Sequence, residues 1–101
     1  MNNRLKLQSK LEDMLGSRNV YYQPPENVNM KYPAIVYNKT GITKKSADNS
    51  GYSLFNQYLI TVIDKKPDNN VIEKLLELPY CSFDRSYKSD GLYHDVLSIY
   101  F

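Results

Sequence analysis

Of all the stretches in this chain, Tyr58 to Tyr87, YLITVIDKKPDNNVIEKLLELPYCSFDRSY, most restricts what it can fold into. It reads as strand, turn, helix and strand. Tyr58 to Ile63 is a run of β-branched and aromatic residues that suits a pleated, half-buried surface. Asp64 to Asn70 breaks that run with Pro67 and Asx turn formers. Val71, Ile72, Leu75, Leu76 and Leu78 then recur at helical spacing, with Glu73, Lys74 and Glu77 turned away. Asn70 and Glu73 are placed to cap this helix, and Pro79 stops it by pushing Leu78 out of the α region. Tyr80 to Tyr87 resumes as a strand.

The rest of the chain adds one helix and more sheet. Residues 3–15 form an amphipathic helix, with Leu7, Leu11, Met14 and Leu15 on one face, Leu5 off it and Gly16 as the C-terminal cap. Asn19 to Gln23 is a short strand ended by Pro24-Pro25, and residues 24–32 are an extended connection. Residues 33–43 and 52–63 read as a long antiparallel hairpin. Its polar, turn-rich tip, 41–51, projects beyond the domain and buries little by itself. Tyr80–Tyr87 pairs with Leu92–Phe101 across a turn containing Asp90-Gly91, residues that tolerate positive φ. The last strand carries Leu92, Val96 and Tyr100 on one face and Tyr93, Leu97, Ile99 and Phe101 on the other. Two helices cover only one face of such a sheet, so the other is expected to meet something else, most simply a second copy.

The expected fold class is therefore α+β. It is a small antiparallel or mixed sheet with two helices on one face and a projecting hairpin, in the order α-β-β-β-α-β-β. The 101 residues make a single domain, 1–101, able to bury a modest core. A formal charge of +2 gives little reason to expect nucleic acid, and Lys44-Lys45 at the tip reads first as a solvated pair. A single Cys, Cys81, leaves no intrachain disulfide and fits a cytosolic product. No apolar run approaches membrane-spanning length. Ten Tyr and no Trp point to an extensive contact surface, since Tyr combines a large rigid ring with a polar tip.

Chemistry is hard to assemble from this inventory. One His and one Cys do not furnish a zinc site, the carboxylates are scattered, and the four Gly form no phosphate loop. Cys81 and His94 could meet across the terminal hairpin, but without an elbow or oxyanion donors. No catalytic residue, metal ligand or cofactor is expected. Asp84 and Arg85, as adjacent strand residues, are expected to point to opposite faces and not to pair with each other. Arg85 is then available for a salt bridge between subunits.

The run Lys74-Leu75-Leu76-Glu77-Leu78-Pro79-Tyr80-Cys81-Ser82-Phe83-Asp84-Arg85, followed by Gly91-Leu92-Tyr93-His94, resembles a family of small neck and tail proteins of long-tailed bacteriophages. These are the tail terminator, or tail completion, proteins that join tail to head. Tyr58–Asp68 and Tyr21–Pro33 look similar as well, so the likeness covers most of the chain apart from the hairpin tip. The resemblance implies an α+β subunit in a hexameric ring that caps the tail tube and meets the head connector. Its partners would be other copies of itself, the tube protein and the connector or stopper protein. DNA would only pass through the lumen, and no membrane would be involved. The site would be the virion neck, after assembly in the host cytoplasm. A head-side connector or stopper ring is the nearest alternative. A small nucleic-acid-binding module using Lys39, Lys44 and Lys45 is an alternative of another class, which steep salt dependence would reveal. The residues expected at subunit or partner interfaces are Lys44, Lys45, Asn49, Tyr52, Arg85, Tyr93, Tyr100 and Phe101.

Overall fold

A computed structural model of the chain describes residues 3–47 and 51–101. Its elements are α1 (Asn3–Leu15), β1 (Val20–Tyr22), β2 (Ala34–Ala47), β3 (Gly51–Asp64), α2 (Val71–Leu76), β4 (Cys81–Ser89) and β5 (Leu92–Tyr100). This is the expected α+β order. The five strands form one mixed, open sheet in the order β1-β2-β3-β5-β4. Only β1 is parallel to its neighbour, with Val20 beside Ile35 and Tyr22 beside Tyr37. That arrangement requires the crossover supplied by residues 23–33.

Both helices lie on one face of the sheet, and the core forms beneath them. Leu7 and Leu11 of α1 and Val71 and Leu75 of α2 pack on Ile35, Tyr37, Tyr58, Ile60, Val62, Leu97 and Ile99. Alternation along each strand sends these side chains to the same side, because they fall in register: Tyr37 lies opposite Ile60, and Ile60 opposite Leu97. Leu5 is 55% exposed, as its place off the helical stripe requires. Gly16 adopts φ +79 and its N–H bonds to the Glu12 carbonyl at 2.9 Å, closing α1.

The Tyr residues divide between interior and surface. Tyr37 and Tyr58 are fully buried, and Tyr37 makes ring contacts with Tyr22 at 4.9 Å and Tyr58 at 5.9 Å. The buried Tyr37 hydroxyl is satisfied by donating to Gln8 Oε1, while Gln8 Nε2 donates to the Val20 carbonyl at 3.1 Å. Arg4 stacks 4.5 Å from the Tyr22 ring. Part of the Tyr excess therefore pins α1 to the sheet and does not serve contact. Burial pushes the Tyr37 and Tyr58 hydroxyls above their ordinary pKa.

Four local expectations change. The hairpin ladder continues past the predicted end of the first strand at Thr43: Lys44 pairs with Leu54 and Ala47 with Gly51. The polar residues 41–47 are thus strand, because cross-strand backbone pairing prevails over their turn-like composition. Asn70 does not cap α2, being itself in the right-handed helical region with no side-chain cap bond. The Asn69 Oδ1 accepts from the Val71 N–H instead, at 2.9 Å, and Asn69 Nδ2 donates to Asp64. The helix also ends earlier, at Leu76, so Leu78 and Pro79 lie in the connection to β4. Finally, β4 extends to Ser89, and the terminal turn is reduced to Asp90 (φ 53) and Gly91 (φ 76).

That two-residue turn with both φ positive matches the twist of the paired strands. A side chain at Gly91 would meet no atoms within 4 Å, so its cost is conformational alone. Gly91→Ala is expected to lower stability by about 1–2 kcal/mol, the penalty for an L-residue in the left-handed region. Denaturant unfolding of both proteins measures it.

Candidate functional site

The hairpin leaves the body of the domain at a bulge in β2, where the register steps between Lys39 and Gly41. Beyond it the two strands continue as a ribbon, which gives the molecule its 52 × 24 × 22 Å extents. The ribbon's helix-side face carries Ile42 and Leu54, which are 59% and 56% exposed. Where ribbon and body meet, two apolar grooves open. One, about 370 Å³, lies between Thr43, Phe55, Tyr80 and Tyr100. The other, about 340 Å³, runs past Lys10, Leu54, Leu78, Pro79 and Phe101.

Tyr80 borders both grooves. It is 73% exposed and holds φ 63, a left-handed conformation that costs a bulky residue of order 1 kcal/mol. The cause is local: Leu78-Pro79 ends the path from α2, and Tyr80 must reverse the chain into β4. Its carbonyl accepts from the Tyr100 N–H at 3.2 Å, tying the reversal to β5. The Phe101 N–H in turn bonds to the Asn56 carbonyl at 2.8 Å, so the groove floor is held by backbone. Its apolar lining can accept an apolar side chain.

Of the sequence-predicted contact residues, Tyr100 and Phe101 come together here. Lys44 lies on the ribbon, opposite Leu54. The side chains of Lys45 and Tyr52 lie outside the described part of the structure, and Asn49 lies outside the described residues altogether. Tyr93 is at the other end of β5, seven residues or roughly 23 Å away, with the Lys88 ammonium 5.0 Å from its ring centroid. Arg85 sits on the outer strand β4, on the face away from the helices, opposite Val96. Sequence reasoning missed Leu54, Phe55, Leu78, Pro79 and Tyr80. The available signal was the Leu78-Pro79-Tyr80 step, where a proline forces a reversal just before a large aromatic.

The expectation that Asp84 and Arg85 do not pair is corrected, and the possible meeting of Cys81 and His94 does not occur. Arg85 Nη1 bonds its neighbour Asp84 Oδ2 at 3.0 Å. Strict alternation fails because the register shifts between Phe83 and Arg85, making Asp84 the extra residue of a bulge. Both side chains are exposed, 61% and 43%, so the pair contributes at most about 1 kcal/mol. Cys81 and His94 do not meet. Cys81 lies opposite Ile99, whereas His94 lies opposite Tyr87 and stacks on its ring at 4.6 Å. Burial pushes the Cys81 thiol up, away from the reactive thiolate.

Asp95 lies on the helix-covered face opposite Val62. Burial raises its carboxyl above the ordinary carboxylate range, Asp68 adds to the rise and His94 opposes it. A raised folded-state pKa means that folding disfavours the ionised form. The penalty is absent below the ordinary carboxylate pKa, grows as pH rises toward the raised value, and is complete above it. Asp95→Asn is therefore expected to raise the melting temperature at pH 7 and to leave it nearly unchanged at pH 3. Thermal unfolding at the two pH values tests the sign.

Among the described residues, no group of three or more His, Cys, Asp or Glu is placed to hold a metal ion, and no helix is long and apolar enough to cross a membrane. No known protein-family model matches the chain, and a search of curated proteins found no significant similarity.

Proposed function

We propose that the chain is a structural protein of a long-tailed bacteriophage, a tail terminator that forms a ring capping the tail tube and joining it to the head connector. The ring would be a hexamer, as the resemblance of Lys74–Arg85 and Gly91–His94 implies. The observation that carries the reading is the projecting ribbon with Ile42 and Leu54 exposed beside open apolar grooves. Such a surface is costly to leave in water and is suited to burial between subunits. The mechanism is geometric and involves no catalysis. One ring face matches the last ring of the tube, the other presents no surface on which a further tube ring can seat, and growth ends.

Virions assembled without this protein test the proposal by electron microscopy. Abnormally long tails are expected. Normal tails on heads that leak DNA would assign the chain to the head-side connector or stopper instead. Normal virions would remove it from the neck.

A further inference from the structure

The helix-covered face of the sheet continues past the helices. Along β2 and β3 that face buries Ile35, Tyr37, Tyr58 and Ile60 under α1 and α2. Past the β2 bulge the same face presents Ile42 and Leu54, more than half exposed. The opposite edge of the sheet has a matching surplus. There Leu76 of α2 is 43% exposed and Phe83 of β4 is 46% exposed.

Charge distinguishes the two edges. Residues 3–47, which build α1, β1 and β2, hold eight Lys or Arg against three Asp or Glu. Residues 71–89, which span α2 and β4, hold three against three, so that edge lacks the positive surplus. The apolar ribbon face is flanked by Lys39 and Lys44, and Leu76 by Glu73 and Glu77. A symmetric contact of ribbon on ribbon, or of α2 on α2, would bring like charges together. A head-to-tail contact brings opposite charges together around an apolar centre. The dimensions agree, since the ribbon from Gly41 to Ala47 spans about 23 Å at 3.3 Å per residue. The six residues of α2 need only about 9 Å at 1.5 Å per residue.

We infer that the contact between neighbouring copies is heterologous: Leu76 and Phe83 of one copy, with Glu73 and Glu77, dock on the Ile42–Leu54 ribbon face of the next. The neighbour's α2 then acts as the missing helix over the extended sheet. This deepens the ring reading and rests on it. A head-to-tail contact uses a different surface on each partner, so repetition closes a ring when the rotation permits.

Two variants and their mixture test it, read by analytical ultracentrifugation at a concentration where the wild type is assembled. Leu54→Glu sets a carboxylate against Glu73 and Glu77, and Leu76→Glu sets one against Ile42 and Leu54. Both positions are exposed, and circular dichroism melting checks that each variant folds. Each variant alone is expected to sediment as monomer. Their equimolar mixture is expected to give a discrete heterodimer and nothing larger, because only one intact pair of surfaces remains. Undiminished assembly of either variant, or a mixture that stays monomeric, would overturn the assignment of these two surfaces to the contact while leaving the ring reading in place. A wild type that remains monomeric both alone and on tail tubes would overturn the ring reading and this contact together.

Discussion

Excising the distal ribbon is expected to abolish assembly while leaving the domain folded. The variant replaces residues 44–54 with Asn-Gly, so that Thr43 and Phe55, an existing cross-strand pair, are joined by a tight turn. Among the described residues, none between Gly41 and Gln57 belongs to the buried core. The melting temperature should therefore move by less than about 8 °C, equivalent to roughly 1 kcal/mol for a domain of this size. Ring formation, followed by sedimentation, should be lost, and tails assembled with the variant should grow beyond normal length. A variant that melts normally and still caps tails would remove the ribbon from the function.

Leu97→Ala is expected to have the largest effect on the fold itself. Leu97 is fully buried on β5, in the core formed with Leu75 of α2 and Ile60 of β3. Truncation should cost about 2–5 kcal/mol, the range for a large aliphatic residue that leaves a cavity. That is a sizeable share of the 5–15 kcal/mol typical of a whole domain. The urea midpoint should fall with little change in slope. Phe83, which lies opposite Leu97 on β4, provides the control. It is 46% exposed, so Phe83→Ala should cost the monomer much less, and a comparable loss would mean that the outer strand shares the core.

The parts of the fold legible in the sequence were those where side-chain pattern and backbone requirement agreed. Residues 3–15 alternated at helical spacing up to Gly16, and the helix ends there. Asp90-Gly91 offered two residues at ease with positive φ, and the turn consists of those two. Errors arose where one cue supported two structures. Asp68-Asn69-Asn70 supplies three possible capping side chains, and only the three-dimensional path of the loop selects Asn69. Residues 41–47 look like turn by composition, yet a strand's pairing partner is distant in sequence and leaves no local trace. The Tyr excess was legible as unusual but not as divided: nothing local distinguishes the buried Tyr37 and Tyr58 from the exposed Tyr80 and Tyr100. The groove was the least legible feature, because Leu54, Leu78, Tyr80 and Phe101 come from three separate parts of the chain.

The bulges at Thr40 and Asp84 have a consequence for crowding. Both fall on strands with an open side: β2 past the end of β1, and β4 at the sheet's margin. A straight margin of unpaired N–H and C=O groups is a template on which identical chains can stack without limit. The extra residue in each strand interrupts that template, and Lys39 beside one bulge and the Asp84–Arg85 pair at the other add charge where a new strand would lie. The interruption disfavours fusion of identical chains into cross-β fibrils. Removing the Asp84 bulge by deletion would straighten that margin, and the variant would be expected to form thioflavin-positive aggregate more readily than the wild type.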